Sequence, residues 1–231
     1  RRAIATRLQQ SVREAPQFHV SIEVDMTYAL AVRQASEPRV TITEVIVKAA
    51  ADTLAEFPRL NCRLEADAIH YLEDINIGIA VSVDDGLVVP VLAQADKLTL
   101  AEVAERARSL IASARAGRLA AGVQSTFTVS NLGMYGVKSF TALLNPPEAA
   151  VLAVGALDDK LTLTESAIVV VPTLCLTLSA DHRIVDGELA ARFLAALKDR
   201  LANCPAFGKA GVSRSSAAGE AQHGPAGAYL P

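Results

Sequence analysis

The sequence predicts an α/β fold, a two-layer sandwich with a mixed sheet. Short runs of alternating apolar and polar residues, such as Phe18 to Val24 and Ile75 to Val83, are separated by stretches with apolar residues three and four apart, such as 43–54 and 189–201. Strands and helices are therefore interleaved, which favours helices laid on a sheet. No glycine-rich nucleotide fingerprint follows any of the strands. The chain of 231 residues is 51% hydrophobic, enough for a sizeable core, and its net charge of −3 is spread over both signs, which gives no electrostatic footprint for nucleic acid.

The elements follow in order. Ile4, Leu8 and Val12 share one helical face, so residues 3–14 are expected as a helix that Pro16 ends. Phe18, Val20, Ile22 and Val24 then make a half-buried strand. A helix starts near Thr43, turns Val45, Ile46, Ala49, Ala50 and Leu54 inward, and stops before Pro58. Ile75, Ile77, Ile79, Val81 and Val83 are expected as one strand, Asp84-Asp85-Gly86 as its turn, and Leu87 to Ala93 as its partner, with Pro90 placing that partner at an edge or a bulge. Thr99 and Glu102 form a capping box ahead of the stripe Leu100, Val103, Ala104, Ala107, Leu110 and Ile111, and Gly117 suits a left-handed cap. Strands are expected at 125–130, 149–154 and 168–179, and a last helix carries Leu189, Phe193, Leu197 and Leu201. From Gly208 the composition turns to Ala, Gly, Ser and Pro, as in a mobile extension.

Cys62, Cys175 and Cys204 are odd in number and match no metal or disulfide spacing, which suits free thiols in a reducing compartment. No apolar run is long enough to span a membrane, and the first residues do not resemble a signal peptide. The chain opens on Arg1-Arg2, inside the expected first helix, as a fragment of a longer protein would.

The densest chemistry lies in Ser179-Ala180-Asp181-His182-Arg183-Ile184-Val185-Asp186-Gly187. A histidine follows an apolar strand, and imidazole titrates near working pH, which suits proton transfer. Strand parity would turn His182 inward with the leucines, where a core histidine bonded to a carbonyl is the alternative. Asp186 can pair with a cation or cap the helix that follows. Ser130 alone would be a strand-end hydroxyl capping its own turn. His19, His70 and His223 fall on a polar strand face, near a turn and in the tail, and there is no metal cluster, hydrolase elbow or phosphate loop.

Asp181-His182-Arg183-Ile184-Val185-Asp186-Gly187 resembles the His-x-x-x-Asp-Gly motif of the dihydrolipoyl acyltransferases, core subunits of 2-oxoacid dehydrogenase complexes that share their fold with chloramphenicol acetyltransferase. Thr126 to Gly136, Leu144-Asn145-Pro146-Pro147-Glu148-Ala149-Ala150, and Arg1 to Leu8 followed by Phe18 to Asp25 carry the resemblance further. It covers residues 1 to about 203, an acyltransferase catalytic domain, and leaves 204–231 as a low-complexity tail.

The resemblance implies a chloramphenicol acetyltransferase-like fold, an obligate trimer, and acyl transfer between two thiols. His182 would be the general base on coenzyme A or dihydrolipoamide. Ser130 would donate to the oxyanion, with Thr128 next if Ser130 points away. Asp186 would hold the loop through a salt bridge sought at Arg1 or Arg2, and Arg183 has no assigned chemistry. The histidine of one subunit would face the serine of its neighbour. Coenzyme A would be a substrate, the lipoyl group would arrive from a separate domain, and no metal would take part. The partners implied are a homotrimer, built up to a 24-mer or a 60-mer, and the decarboxylase and dihydrolipoamide dehydrogenase subunits of the complex. The setting would be bacterial cytoplasm, or the mitochondrial matrix if eukaryotic. Acetyl is the acyl group favoured. Lipoyl and peripheral-subunit-binding domains have no counterpart in the 231 residues. A coenzyme A-dependent acetyltransferase with another acceptor, and a non-catalytic structural core, are the alternatives.

Overall fold

The computed structural model describes residue 9 and residues 11–65, 68–83, 86–118, 122–164 and 167–203. In chain order the elements are β1 (Gln17–Asp25), α1 (Thr27–Ala35), α2 (Ile42–Leu54), β2 (Cys62–Glu65), β3 (Ala68–Tyr71), β4 (Ile77–Ile79), β5 (Val81–Val83), β6 (Gly86–Val88), β7 (Val91–Leu92), α3 (Leu100–Arg115), β8 (Phe127–Asn131), β9 (Ala150–Val154), β10 (Asp158–Leu163), β11 (Ile168–Asp181) and α4 (Gly187–Asn203). The main sheet runs β1-β11-β9-β8-β4-β7, with β10 paired to the outer part of β11. Strands β4, β8 and β9 are parallel and the remaining pairs antiparallel, so the sheet is mixed.

Two faces follow from the alternation. Phe18, Val20, Ile22 and Val24 lie beside Ala180, Leu178, Leu176 and Leu174, and next to them Ala150, Leu152 and Val154. These side chains join the helices' apolar stripes in one core. The opposite face is polar in its middle. His19, Ser179, Val151, Thr128 and Gly78 form one cross-strand row, and Ser21, Thr177, Ala153 and Ser130 the next. His19 Nδ1 shares a 2.8 Å hydrogen bond with Ser179 Oγ, as does Ser21 Oγ with Thr177 Oγ1.

Most expected elements are present, including the Thr99–Glu102 capping box and Gly117 at φ +73°. A second capping box, Thr41–Glu44, opens α2. Four differences have local causes. The strand expected over 75–83 is divided: β4 is buried on both sides between β7 and β8, and after Ala80 the chain leaves the sheet to form the β5–β6 hairpin. Helix α1 is additional; its apolar residues Tyr28, Leu30 and Val32 also alternate, which hides a helical period in so short a segment. The hairpin β2–β3 is additional and places His70 in a short strand opposite Arg63. Strand β10 is additional, exposed along almost its whole length and so without an alternating signature. The turn residues Asp84 and Asp85, most of the first helix and the tail lie outside the described residues. Of that helix, residues 11–14 are helical, and it is Ser11 that is buried, donating to Leu144 O at 3.0 Å, while Val12 is exposed.

At the end of β9 the backbone packs closely against the segment before β9 and against β11. Gly155 N donates to Cys175 O, and Ala156 N to Val137 O. A Cβ on Gly155 would stand 1.9 Å from Lys138 O, a backbone atom that cannot rotate away. Gly155→Ala is therefore expected to destabilise the fold by about 1–3 kcal/mol, measured as a lowered thermal midpoint; an unchanged midpoint would show that the 137–138 segment is free to shift.

Candidate active site

Ser130 sits near the end of β8 and faces the side of the sheet opposite the helical core. It lines a cavity of about 660 Å³ with Thr128, Val151, Val88, Val89 and Phe140. Segment 140–148 forms the cavity's other wall. Thr128, the other expected candidate, is committed elsewhere: it is buried, and its hydroxyl donates to Glu148 Oε1 at 2.8 Å. Ser130 has room toward the cavity and is partly exposed.

Glu148, Ser125 and Asn145 had no role in the expectation. Ser125 Oγ and Asn145 Nδ2 (2.7 Å) join Thr128 in donating to the same Glu148 oxygen. The sequence holds one signal for this site: a carboxylate next to Ala149 to Val154, a run buried throughout, must find donors or stay outside.

His182 does not turn inward as strand parity suggested. Strand β11 ends at Asp181, and the chain turns through 182–184. The imidazole is exposed in the single chain and rests on Phe18, ring centroids 4.5 Å apart. Its backbone N–H donates to Pro16 O at 2.9 Å. The turn is held from both sides. Buried Asp181 takes the Arg183 guanidinium on both oxygens (Nη2 to Oδ2, 2.6 Å), and Ile184 and Val185 drop into the core.

Asp186 is exposed in the single chain and caps α4: Leu189 N donates to Oδ1 at 2.8 Å and Ala190 N to its carbonyl at 3.1 Å. The cation expected at Arg1 or Arg2 lies outside the described residues.

The sheet does not bring Ser130 and His182 together. Ser130 stands level with Ala153 and Thr177, and His182 follows Thr177 by five residues. At about 3.3 Å per residue and about 4.8 Å between strands, the two Cα atoms are about 19 Å apart, at opposite ends of the sheet and beyond the reach of both side chains.

A second cavity of about 560 Å³ shares Ser125, Pro147 and Glu148 with the first and reaches Cys62 and Arg63. Cys62 is a free, buried thiol whose pKa burial pushes up to about 11, which leaves it unreactive near neutral pH. Among the described residues, no group of three or more His, Cys, Asp or Glu could hold a metal ion, and no helix is long and apolar enough to cross a membrane.

Helices pack on one side of the mixed sheet, the His182 turn precedes the last helix, and Ser130 lies on a cavity. The chain belongs to the 2-oxoacid dehydrogenases acyltransferase (catalytic domain) family, which it matches over residues 1–207. The acetyltransferase component of the pyruvate dehydrogenase complex of Rickettsia bellii is 35% identical over 90% of this chain and 52% of that protein. The chain thus spans about half the length of the curated relatives it matches. A structure of Azotobacter vinelandii dihydrolipoamide acetyltransferase, studied for the role of a serine, a histidine and an asparagine in its mechanism, superposes with a TM-score of 0.85 at 32% identity over 89% of each chain. The cubic core of a pyruvate dehydrogenase complex gives a TM-score of 0.85 at 33% identity, again over 89% of each. Chloramphenicol acetyltransferase shares the fold, with a TM-score of 0.56 at 13% identity over 85% of this chain and 94% of that one.

Asp186→Ala is expected to lower stability by about 0.5–2 kcal/mol through loss of the cap, and Asp186→Asn to restore most of it. Thermal midpoints of both variants check this; equal losses in the two would mean that the negative charge, not the cap, holds the turn.

Proposed function

We propose that residues 1–203 form the catalytic core of a dihydrolipoyl acyltransferase. It passes an acyl group, acetyl by preference, between a dihydrolipoyl arm carried on a separate domain and coenzyme A. One observation carries this reading. The interval from Ser130 to His182 equals that from the serine to the histidine of the Azotobacter enzyme, and Asp186 follows His182 by four residues as the asparagine does there. The acetyl preference follows from the pyruvate dehydrogenase and acetoin-cleaving relatives.

His182 takes the proton from the attacking thiol, that of coenzyme A or of dihydrolipoamide according to direction. The thiolate adds to the thioester carbonyl, and Ser130 Oγ donates a hydrogen bond to the oxyanion. Such a donor is typically worth about a hundred- to a thousandfold in rate. Collapse breaks the bond to the departing sulfur, which takes the proton back from the imidazole, so no acyl-enzyme forms. The apolar walls at Val88, Val89 and Phe140 suit a thin, largely apolar arm beside Ser130. Asp186 serves by fixing the start of α4 and the turn that carries the histidine.

The separation of Ser130 and His182 within one chain supports a site shared by two copies. Every corner of a cube lies on a three-fold axis, so relatives with a cubic core favour the trimer as the unit. A larger assembly, decarboxylase and dihydrolipoamide dehydrogenase partners, and a bacterial cytoplasmic or mitochondrial setting belong to the same proposal, supported by relatives that are pyruvate dehydrogenase complex components of a bacterium and of a mitochondrion.

The test is acetyl transfer from acetyl-coenzyme A to free dihydrolipoamide, with assembly size measured on the same samples. His182→Ala is expected to abolish transfer in an intact assembly, and Ser130→Ala to lower kcat about a hundred- to a thousandfold with KM for coenzyme A little changed. Wild-type rates in both variants would overturn the mechanism. An inactive, well-assembled wild type would point to a structural core or to another acceptor.

A further inference from the structure

We infer that Glu148 is a positioning residue for Ser130, an inference that rests on the proposed function. Its side chain is almost fully buried, and one of its oxygens, Oε1, accepts from three donors on two separate segments. Ser125 and Thr128 lead into and form β8; Asn145 belongs to the segment that walls the cavity. Glu148 N donates to Asn145 O at 3.0 Å, so that segment is closed on itself at the same point. The carboxylate thus ties the strand that presents Ser130 to the opposite cavity wall.

The coupling is direct in the strand. Thr128 stands two residues before Ser130 and points to the same face. Strand β4 makes room for it: a Cβ on Gly78 would lie 2.8 Å from Thr128 Oγ1 and 3.0 Å from Ser125 Cβ. With its hydroxyl donated to Glu148, Thr128 is held in one rotamer in the cavity lining, and the register of β8 at Ser130 is held with it. An oxyanion donor works only at a defined place, and a displacement of about 1 Å can cost about a hundredfold in rate.

All three donors meet one oxygen, so glutamine can replace the acceptor and methionine cannot, although both nearly match glutamate in size. Glu148→Gln is expected to keep kcat within about threefold of wild type, and Glu148→Met to lower it about ten- to a hundredfold with KM for coenzyme A within about twofold. The distinguishing measurement is a double-mutant cycle with Ser130→Ala. If Glu148 acts through Ser130, Glu148→Met adds little to the loss caused by Ser130→Ala. Should Glu148→Met fail to assemble, Thr128→Val removes one donor at nearly constant shape and enters the same cycle.

Multiplicative losses in the cycle would overturn the inference, as would a Glu148→Gln as slow as Glu148→Met. A Ser130→Ala with wild-type kcat would instead overturn the oxyanion role proposed for Ser130, so the two failures are distinct.

Discussion

The register of β8, β9 and β11 decides where each reacting group can go. Ser130 pairs with Ala153, and Ala153 with Thr177; from Thr177 the strand continues until Asp181, beyond which His182 emerges. Backbone hydrogen bonds hold this ladder, and a slip by one residue would exchange its two faces. Leu174, Leu176, Leu178 and Ala180 would then leave the core, so the register is held by burial as well as by pairing. Two groups suited to acyl transfer are therefore presented rigidly and far apart. In the proposed function, a second copy would supply the missing half of the site.

Each half has its own support. At the histidine end, Asp181 and Arg183 close the turn, Ile184 and Val185 anchor it, and Asp186 starts the helix that covers the core. The turn is short and charged outside, apolar beneath. At the serine end, a buried carboxylate gathers hydroxyl and amide donors from β8 and from the cavity wall. The two supports share no residue, in keeping with halves that meet only between copies. Under the proposed mechanism, such preorganisation would let Ser130 donate to the oxyanion without rearranging during the reaction.

Much of this was legible in the sequence where one physical signal dominated. The alternation of Phe18 to Val24, the stripe behind Thr99 and the spacing of Leu189 to Leu201 each mark an element that the structure contains. Local pattern failed where tertiary neighbours decide. Ile75 to Val83 alternates as one strand, yet pairing with β7 and β8 takes only Ile77 to Ile79 into the sheet. His182 had the parity of a core residue, but the strand ends one position earlier. Glu148 was visible only as part of a motif, since its donors Ser125 and Thr128 lie more than twenty residues upstream or at that distance. The roles of Ser130 and His182 came from resemblance; no local pattern could have distinguished Ser130 from a turn-capping hydroxyl.

Subunit mixing tests the shared site most directly. Protein carrying His182→Ala and protein carrying Ser130→Ala would be dissociated, mixed in equal amounts and reassembled, with hybrid assemblies verified by mass. If the histidine of one copy works on the serine side of another, some interfaces in the hybrids combine an intact His182 with an intact Ser130. Acetyl transfer should then rise well above that of either variant alone. Verified hybrids that stay as inactive as their parents would contradict the account and require both groups to act within one chain.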